Sequence, residues 1–426
     1  MNARVTIHAM QSLTPSNSLR DIWPALLLLA VLVLLPPGIG YANAALGLCG
    51  IGGLVLAWRG RSGLRADPGV RLAFVLFLCY WLPALISAFD SIAPGKSWGN
   101  VRDLLRFLPF AIFACLALRN ARTWPRILLA IGAIVALWLL DAWVQALTGY
   151  GVAGASDPER LSGIFGAGNL KLGPVLAVLS PFVLDAARAR FGRIGLIVAF
   201  VFALVPILLA GERAGWLMYA LVALAFLWRE ARTPLRFAGW GAAAALLAAL
   251  PVLVALHASP AFDARVDRSL RALQGTEAAV DYASSGRSMH IWPTAWRMIE
   301  AHPINGVGVR AFRYAYAHYA AAGDTFVNAD PDEGALHAHQ IVLEVLSETG
   351  AIGLVFWISG FAFAWRAWRR ADDAARARAW APALALAVMT FPLDTHLAFY
   401  SAWWGLVFWW LLASYCAALN ARDLSV

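Results

Sequence analysis

The chain has 426 residues, of which 61% are hydrophobic and only 14% charged, with 20 tryptophans among them. That is too little polar surface to cover a water-soluble globule of this size, so the composition reads as a membrane protein. The 34 basic and 25 acidic residues leave a net charge of +9, but the arginines gather in short stretches between apolar runs, which is the pattern of cytoplasmic loops and not of a nucleic-acid-binding face.

A helix needs about 20 apolar residues to cross a bilayer, and roughly twelve runs qualify. They lie near 22–39, 41–58, 71–89, 104–118, 124–147, 170–187, 194–211, 214–228, 235–257, 341–365, 378–394 and 397–418. The basic start, the run from Ile22 and the Ala-Asn-Ala at Ala42 to Ala44 mimic a secretory signal. That run is long and another follows at once, so it reads as a retained span. Alternate connections carry the arginines: Arg59, Arg61, Arg65 and Arg71; then Arg119, Arg122 and Arg126; then Arg188, Arg190 and Arg193; then Arg229, Arg232 and Arg236; and last Arg366, Arg369, Arg370, Arg376 and Arg378. Both termini are therefore expected on the cytoplasmic side.

The expected fold is all-α: a polytopic membrane protein of about twelve transmembrane helices. About nine fall in 1–257 and about three in 341–426, with a large periplasmic loop domain at 258–340. In that loop "MHIWPTAWRMIEAHP" and "VRAFRYAYAHYAAAG" space their apolar residues as amphipathic helices do. Cys49, Cys79, Cys115 and Cys416 sit in or beside apolar runs, which suits buried thiols and neither a disulfide framework nor a zinc site.

Several polar residues stand out on the outer side. Glu212 and Arg213, in "LLAGERAGWL", join two apolar runs with almost no loop, on the side otherwise poor in arginine. In "SSGRSMHIW", Arg287 follows small residues at a helix start, an arrangement that suits either an anion such as phosphate or a plain helix cap. Arg265, Arg268 and Arg271 recur on one helix face, as a headgroup-facing stripe or as a funnel for diphosphate. The loop "ERLSGIFGAGNLKLG" sets Arg160, Asn169 and Lys171 around glycines that let a ligand approach the backbone. His337 and His339, in "LHAHQ", lack the spacing of a zinc site. The nearby acids Asp330, Asp332 and Glu333 are a candidate set for a hard divalent cation, which the reading does not require. A histidine at the membrane boundary serves either as an interfacial hydrogen-bonding group or as a general base. Asp141, Asp185 and Asp394 are read as the few acids in or beside spans.

The segment "HQIVLEVLSETGAIG", with His339, Gln340, nine residues, Gly350, two residues and Gly353, resembles the signature of the O-antigen ligase family, within the wider group of O-antigen polymerases and bacterial protein O-oligosaccharyltransferases. "GERAGWL" around Arg213 is similar to that group's small-Arg-small element, with Glu212 where a small polar residue is expected. "SGRSMHIWPTAWRMIEAHPINGVGVRAF" resembles its Ser-Gly-Arg-x4-Trp segment followed by Pro, Gly-x-Gly and an aromatic. The resemblance implies an inverting, metal-independent glycosyltransferase with no cofactor, multi-pass in a bacterial inner membrane, its active site on the periplasmic side. The implied donor is an undecaprenyl-diphosphate-linked glycan and the implied acceptor a sugar hydroxyl of lipid A core, with membrane lipids around it and no nucleic acid. It gives His339 as catalytic base and Arg213 and Arg287 as diphosphate ligands; His337, which lies outside the motif, and Gln340, Arg160 and Arg265 are assigned supporting roles beside them. A polymerase or a protein O-oligosaccharyltransferase shares this chemistry with another acceptor. A flippase or transporter of lipid-linked sugars would instead spread polar residues through the membrane depth.

Overall fold

The computed structural model describes residues 19–157, 159–329, 334–393 and 398–423. The basic start of the chain, the acids Asp330, Asp332 and Glu333, and Asp394 lie outside them. The described residues are almost wholly helical: α1 Leu19–Val33, α2 Ile39–Arg59, α3 Pro68–Ser87, α4 Pro94–Leu104, α5 Phe107–Ala117, α6 Trp124–Thr148, α7 Leu172–Leu209, α8 Arg213–Ala231, α9 Pro234–Ala258, α10 Pro260–Ala272, α11 Glu277–Ser284, α12 Trp292–Ala301, α13 Phe312–Tyr319, α14 Ile341–Arg370, α15 Asp373–Met389 and α16 Ala402–Asn420. Eight helices of the described residues are long and apolar enough to cross a membrane. The first apolar run ends sooner than expected, at Val33, because Pro36 and Pro37 offer no backbone N–H to continue it. The only sheet among the described residues is a two-stranded hairpin, Tyr150–Gly151 with Gly154–Ala155.

The bundle is organised around α16, whose membrane-span stretch is 83% buried and carries the fully enclosed Trp409 and Trp410. At the other extreme only 6% of the α9 span is buried, so much of that helix faces outward. Charges near the spans are mostly spent on internal pairs: Arg229 with Asp185 at 2.6 Å, and Arg188 and Arg193 with Glu230 at 2.7 and 3.0 Å.

Two long helices are each broken at one glycine. At Gly192 (φ 69°, ψ −154°) α7 folds back on itself, so that Gly173 near its start lies against Ala210 just past its end. At Gly350 (φ 63°, ψ −164°) α14 breaks and the freed backbone groups find partners in the segment 302–308. Val307 and Gly308 donate to the carbonyls of Ser347 and Glu348 at 2.8 and 3.1 Å, while Ala351 and Ile352 donate to those of Pro303 and Ile304 at 2.8 and 3.0 Å. In a helix Ser347 and Glu348 would have accepted from Ala351 and Ile352 themselves. The loop therefore replaces both lost bonds on both sides, which a bilayer core demands of any backbone exposed by a break. A β-carbon at Gly306 would overlap Glu348 and one at Gly350 would overlap Ile304, so only glycine allows the two chains this close.

The buried face of this joint is acidic. Glu344 and Glu348, both in the apolar run after His339, are fully enclosed, although the sequence reading passed them over as acids within a span. Glu348 accepts from the backbone N–H of Arg310 at 2.8 Å, just ahead of α13. The replacement Gly350→Ala is expected to destabilise the protein by at least ~2 kcal/mol, read as a lowered thermal midpoint in detergent. Gly241→Ala, in open space on α9, should leave stability unchanged or raise it by up to ~1 kcal/mol. Equal midpoints for the two variants would remove the interlock from its structural role.

Candidate functional site

A cavity of about 410 Å³ opens where α8, α10, α11 and the turn before α12 meet, and it is lined by Arg160, Arg213, Arg265, Arg268 and Arg287 with Glu212 the single acid. Each guanidinium arrives by its own local device. Gly211 takes φ 80°, Glu212 is extended, and Arg213 opens α8, so that first-turn N–H groups and the positive end of the helix dipole share the cavity with the side chain. A β-carbon at Gly211 would meet the Arg265 guanidinium. Arg265 and Arg268 are one turn apart on α10, which Ser259 caps by accepting from Phe262 N–H at 3.2 Å.

Arg287 begins a single turn of π-helix, Arg287–Ile291, after Ser285 and Gly286 at positive φ. Asp281 and Ser284 hold this turn: Ser288 and Met289 N–H donate to Ser284 Oγ and Asp281 Oδ1 at 3.0 and 3.1 Å. Arg160 comes from the glycine-rich loop, which is pinned to α6. Val152 N–H donates to Asp141 at 2.6 Å, and Ser162 and Gly163 N–H donate to Gln145 at 3.0 and 2.7 Å. The same loop sends Lys171 elsewhere, over the Trp403 ring with its ammonium on Asn169.

Five guanidiniums against the Glu212 carboxylate, with the exposed Glu159 carboxylate beside Arg160 and Arg265 at 3.9 and 3.5 Å, leave the cavity positive. Arg160 pairs with Glu212, and Arg265 donates to the Glu159 carbonyl at 2.8 Å. Arg213 reaches Ser269 at 3.4 Å, and Arg268 lies over the Tyr282 ring at 4.8 Å with its Nε buried and unbonded. Burial holds Glu212 above the usual carboxylate range, and the arginines, Arg160 foremost, pull it back. Burial also lowers Arg265 and Arg287, with Glu212 opposing it at both. The surplus positive charge, dipole and exposed N–H groups together fit a polyanion the size of a diphosphate.

The structure thus brings Arg160, Arg213, Arg265 and Arg287 together. Of the stripe on α10 it adds Arg268 and leaves out Arg271, which pairs with Asp267 at 2.8 Å on the surface. Sequence reasoning did not single out Asp281, because its part is to cap a π-turn that no local pattern announces.

His337, His339 and Gln340 do not line this cavity. They form the entrance to α14, the two imidazoles 3.8 Å apart between ring centroids and His339 in the left-handed region at φ 52°. Gln340 caps α14, accepting from Leu343 N–H at 2.6 Å, and donates to the Pro392 carbonyl at 2.6 Å. Between the histidines, Ala338 is wholly buried in a small core shared with Ile291, Ala295, Met298 and Phe312. That core is continuous with the turn bearing Arg287, so the histidine turn and the arginine turn are mounted on one packed unit.

Residues 175–358 match the family model described as O-antigen ligase. The matched stretch holds Arg213, Arg265, Arg268, Arg287, His337 and His339 and ends beyond the Gly350 break, and it bears out the resemblance drawn from the motifs. No match to a curated protein was found.

Because the surplus guanidiniums repel one another, Arg268→Ala and Arg287→Ala should melt no lower than the unsubstituted protein without ligand. Each should weaken binding of inorganic diphosphate by about 1.5–3 kcal/mol, roughly 10- to 100-fold in Kd. Arg271→Ala should bind as the unsubstituted protein does. Calorimetric titration with diphosphate tests all three, and unchanged affinity in the first two would contradict an anion site.

Proposed function

We propose that this chain, whose residues 175–358 carry an O-antigen ligase domain, is a glycosyltransferase that moves a glycan from undecaprenyl diphosphate to a sugar hydroxyl of lipid A core. The observation that carries the reading is the convergence of five arginines on one cavity, mounted on the same small core as the histidine turn. The coarser statement, a multi-pass membrane protein with an O-antigen ligase domain, rests on eight apolar helices and the match. In the finer one the chain crosses the bacterial inner membrane twelve times. That count splits α7 at Gly192 and adds the shorter α1, α5 and α15 to the remaining long helices. Both termini then face the cytoplasm, and 258–340 roofs the site from the periplasm.

In the proposed reaction the acceptor oxygen attacks the anomeric carbon from the face opposite the diphosphate. The new C–O bond forms as the bond to the diphosphate oxygen breaks, and the configuration inverts. The electron pair leaves on that oxygen, where Arg213 and Arg287, with Arg160, Arg265 and Arg268 beside them, stabilise the growing charge. The hydroxyl becomes a competent nucleophile only as its proton moves to a base, and the His339 imidazole is the group assigned to take it. Gln340 fixes the turn on which it stands, and His337 lies against it with the two rings tilted by 38°. Two of the acids beside the spans have other tasks: Asp185 pairs with Arg229 and Asp141 holds the glycine-rich loop.

Purified protein is to be assayed in EDTA with lipid A core, a second lipid-linked glycan and a carrier protein as competing acceptors. Product on lipid A core alone is the expected result. Elongated glycan would make the chain a polymerase, and glycosylated protein an oligosaccharyltransferase. His339→Ala should lose at least ~100-fold in turnover with donor binding retained, whereas Arg213→Ala and Arg287→Ala should lose both. Full turnover in His339→Ala would end the assignment of the base.

A further inference from the structure

A second cavity of about 450 Å³ lies inside the membrane-spanning part of the bundle and shares no lining residue with the arginine pocket. Its walls are α3, α14, α15 and α16, and it is almost wholly apolar. Along α14 it runs from Phe356 to Trp368, about 18 Å at 1.5 Å per residue. Phe361 and Trp365 stand at the lateral mouth, 40% and 59% exposed, while Tyr80, Tyr400 and Leu412 close the inner side. A slot this long and narrow, open sideways to lipid, has the shape of an extended hydrocarbon chain.

Its outer end tells which chain. There the lining residues are Thr390, Phe399 and Tyr400. Thr390 ends α15, and two residues further on the Pro392 carbonyl accepts the hydrogen bond from Gln340 that ties this strap to the His339 turn. Tyr80 reinforces the same end by donating to the Phe399 carbonyl at 2.8 Å. The groove is therefore continuous with the support of the base and shares no lining residue with the diphosphate pocket. A displacement that inverts the anomeric carbon needs its nucleophile to approach from the side away from the leaving group, so donor and acceptor lipids must reach the centre by different routes.

We propose that this groove seats an acyl chain of the glycolipid acceptor and so brings the acceptor sugar under His339. The assignment rests on the ligase reading above and adds to it the place where the acceptor's lipid part is recognised. Because the chain enters from lipid and not from water, its seating rests on close van der Waals packing against the walls. Beyond that, the aromatic walls select a narrow chain by shape, and Gly360, Ala364 and Ala383 keep the slot open.

Ala364→Trp on α14 and Ala383→Phe on α15 fill the slot from opposite walls. Transfer is to be measured with intact lipid A core and with its fully de-acylated core oligosaccharide. In both variants KM for the acylated acceptor should rise about 10-fold or more, with kcat near that of the unsubstituted protein. Turnover of the de-acylated acceptor and affinity for the diphosphate-linked donor should not change. An equal loss with both acceptors would mean that the slot is only packing, and no loss with either would mean that the acceptor does not use it. Weakened donor binding would give the slot to the prenyl chain instead. Each of these overturns the proposal. If the unsubstituted protein transfers to neither acceptor, the ligase reading fails first and this assignment falls with it.

Discussion

The rest of the structure depends on four backbone hydrogen bonds at the break in α14. A helix interrupted inside an apolar bundle exposes N–H and C=O groups that no lipid can satisfy. Here the chain from 302 to 308 supplies partners for Ser347, Glu348, Ala351 and Ile352, and Glu348 reaches across to hold the backbone of Arg310 as well. The loop thereby becomes part of the bundle. What would otherwise be a surface excursion is fixed relative to the helix whose first residues follow His339, and the turn with Arg287 is packed onto the same unit through Ile291 and Ala338.

The second constraint is electrostatic and points the other way. Two sets of charges elsewhere near the spans are neutralised at short range, Arg188–Glu230–Arg193 and Arg229–Asp185. The arginine cavity differs from them. Two carboxylates, Glu212 and the exposed Glu159, serve five guanidiniums, and Arg268 keeps a buried nitrogen without a partner. An uncompensated set of this kind is costly in the free protein and is offset when a polyanion enters, which is how a rigid scaffold stores binding strength for a charged leaving group.

In the proposed reaction these two constraints divide the molecule by task. The pinned loop, the π-turn and α10 hold the anion side. The cap at Gln340, the strap after Thr390 and the aromatic slot beneath it hold the other side. α10 continues directly from α9, the least buried of the long helices. The arginines at 265 and 268 therefore stand next to the most lipid-exposed part of the bundle, where a lipid-linked substrate would arrive.

Much of this was legible in the chain itself. Apolar runs of about 20 residues with arginines in alternate connections dictate helices in a membrane whatever their packing, because backbone groups in lipid have no other solution. The spacing around His339, Arg213 and Arg287 likewise carried the family resemblance unaided. The sequence could not say that Arg268 joins the cavity and Arg271 leaves it, for both fit the same helical stripe, and only packing against Tyr282 and the pairing with Asp267 separate them. Nor could it say that Gly306 and Gly350 are partners, since each alone is merely a permissive residue. Glu344 and Glu348 were open to notice as acids in an apolar run, yet their meaning is tertiary. Local pattern fixes where a helix forms and which face is apolar; which distant backbone fills a break, and which charges are left without counter-ions, depends on contacts between segments far apart in the chain.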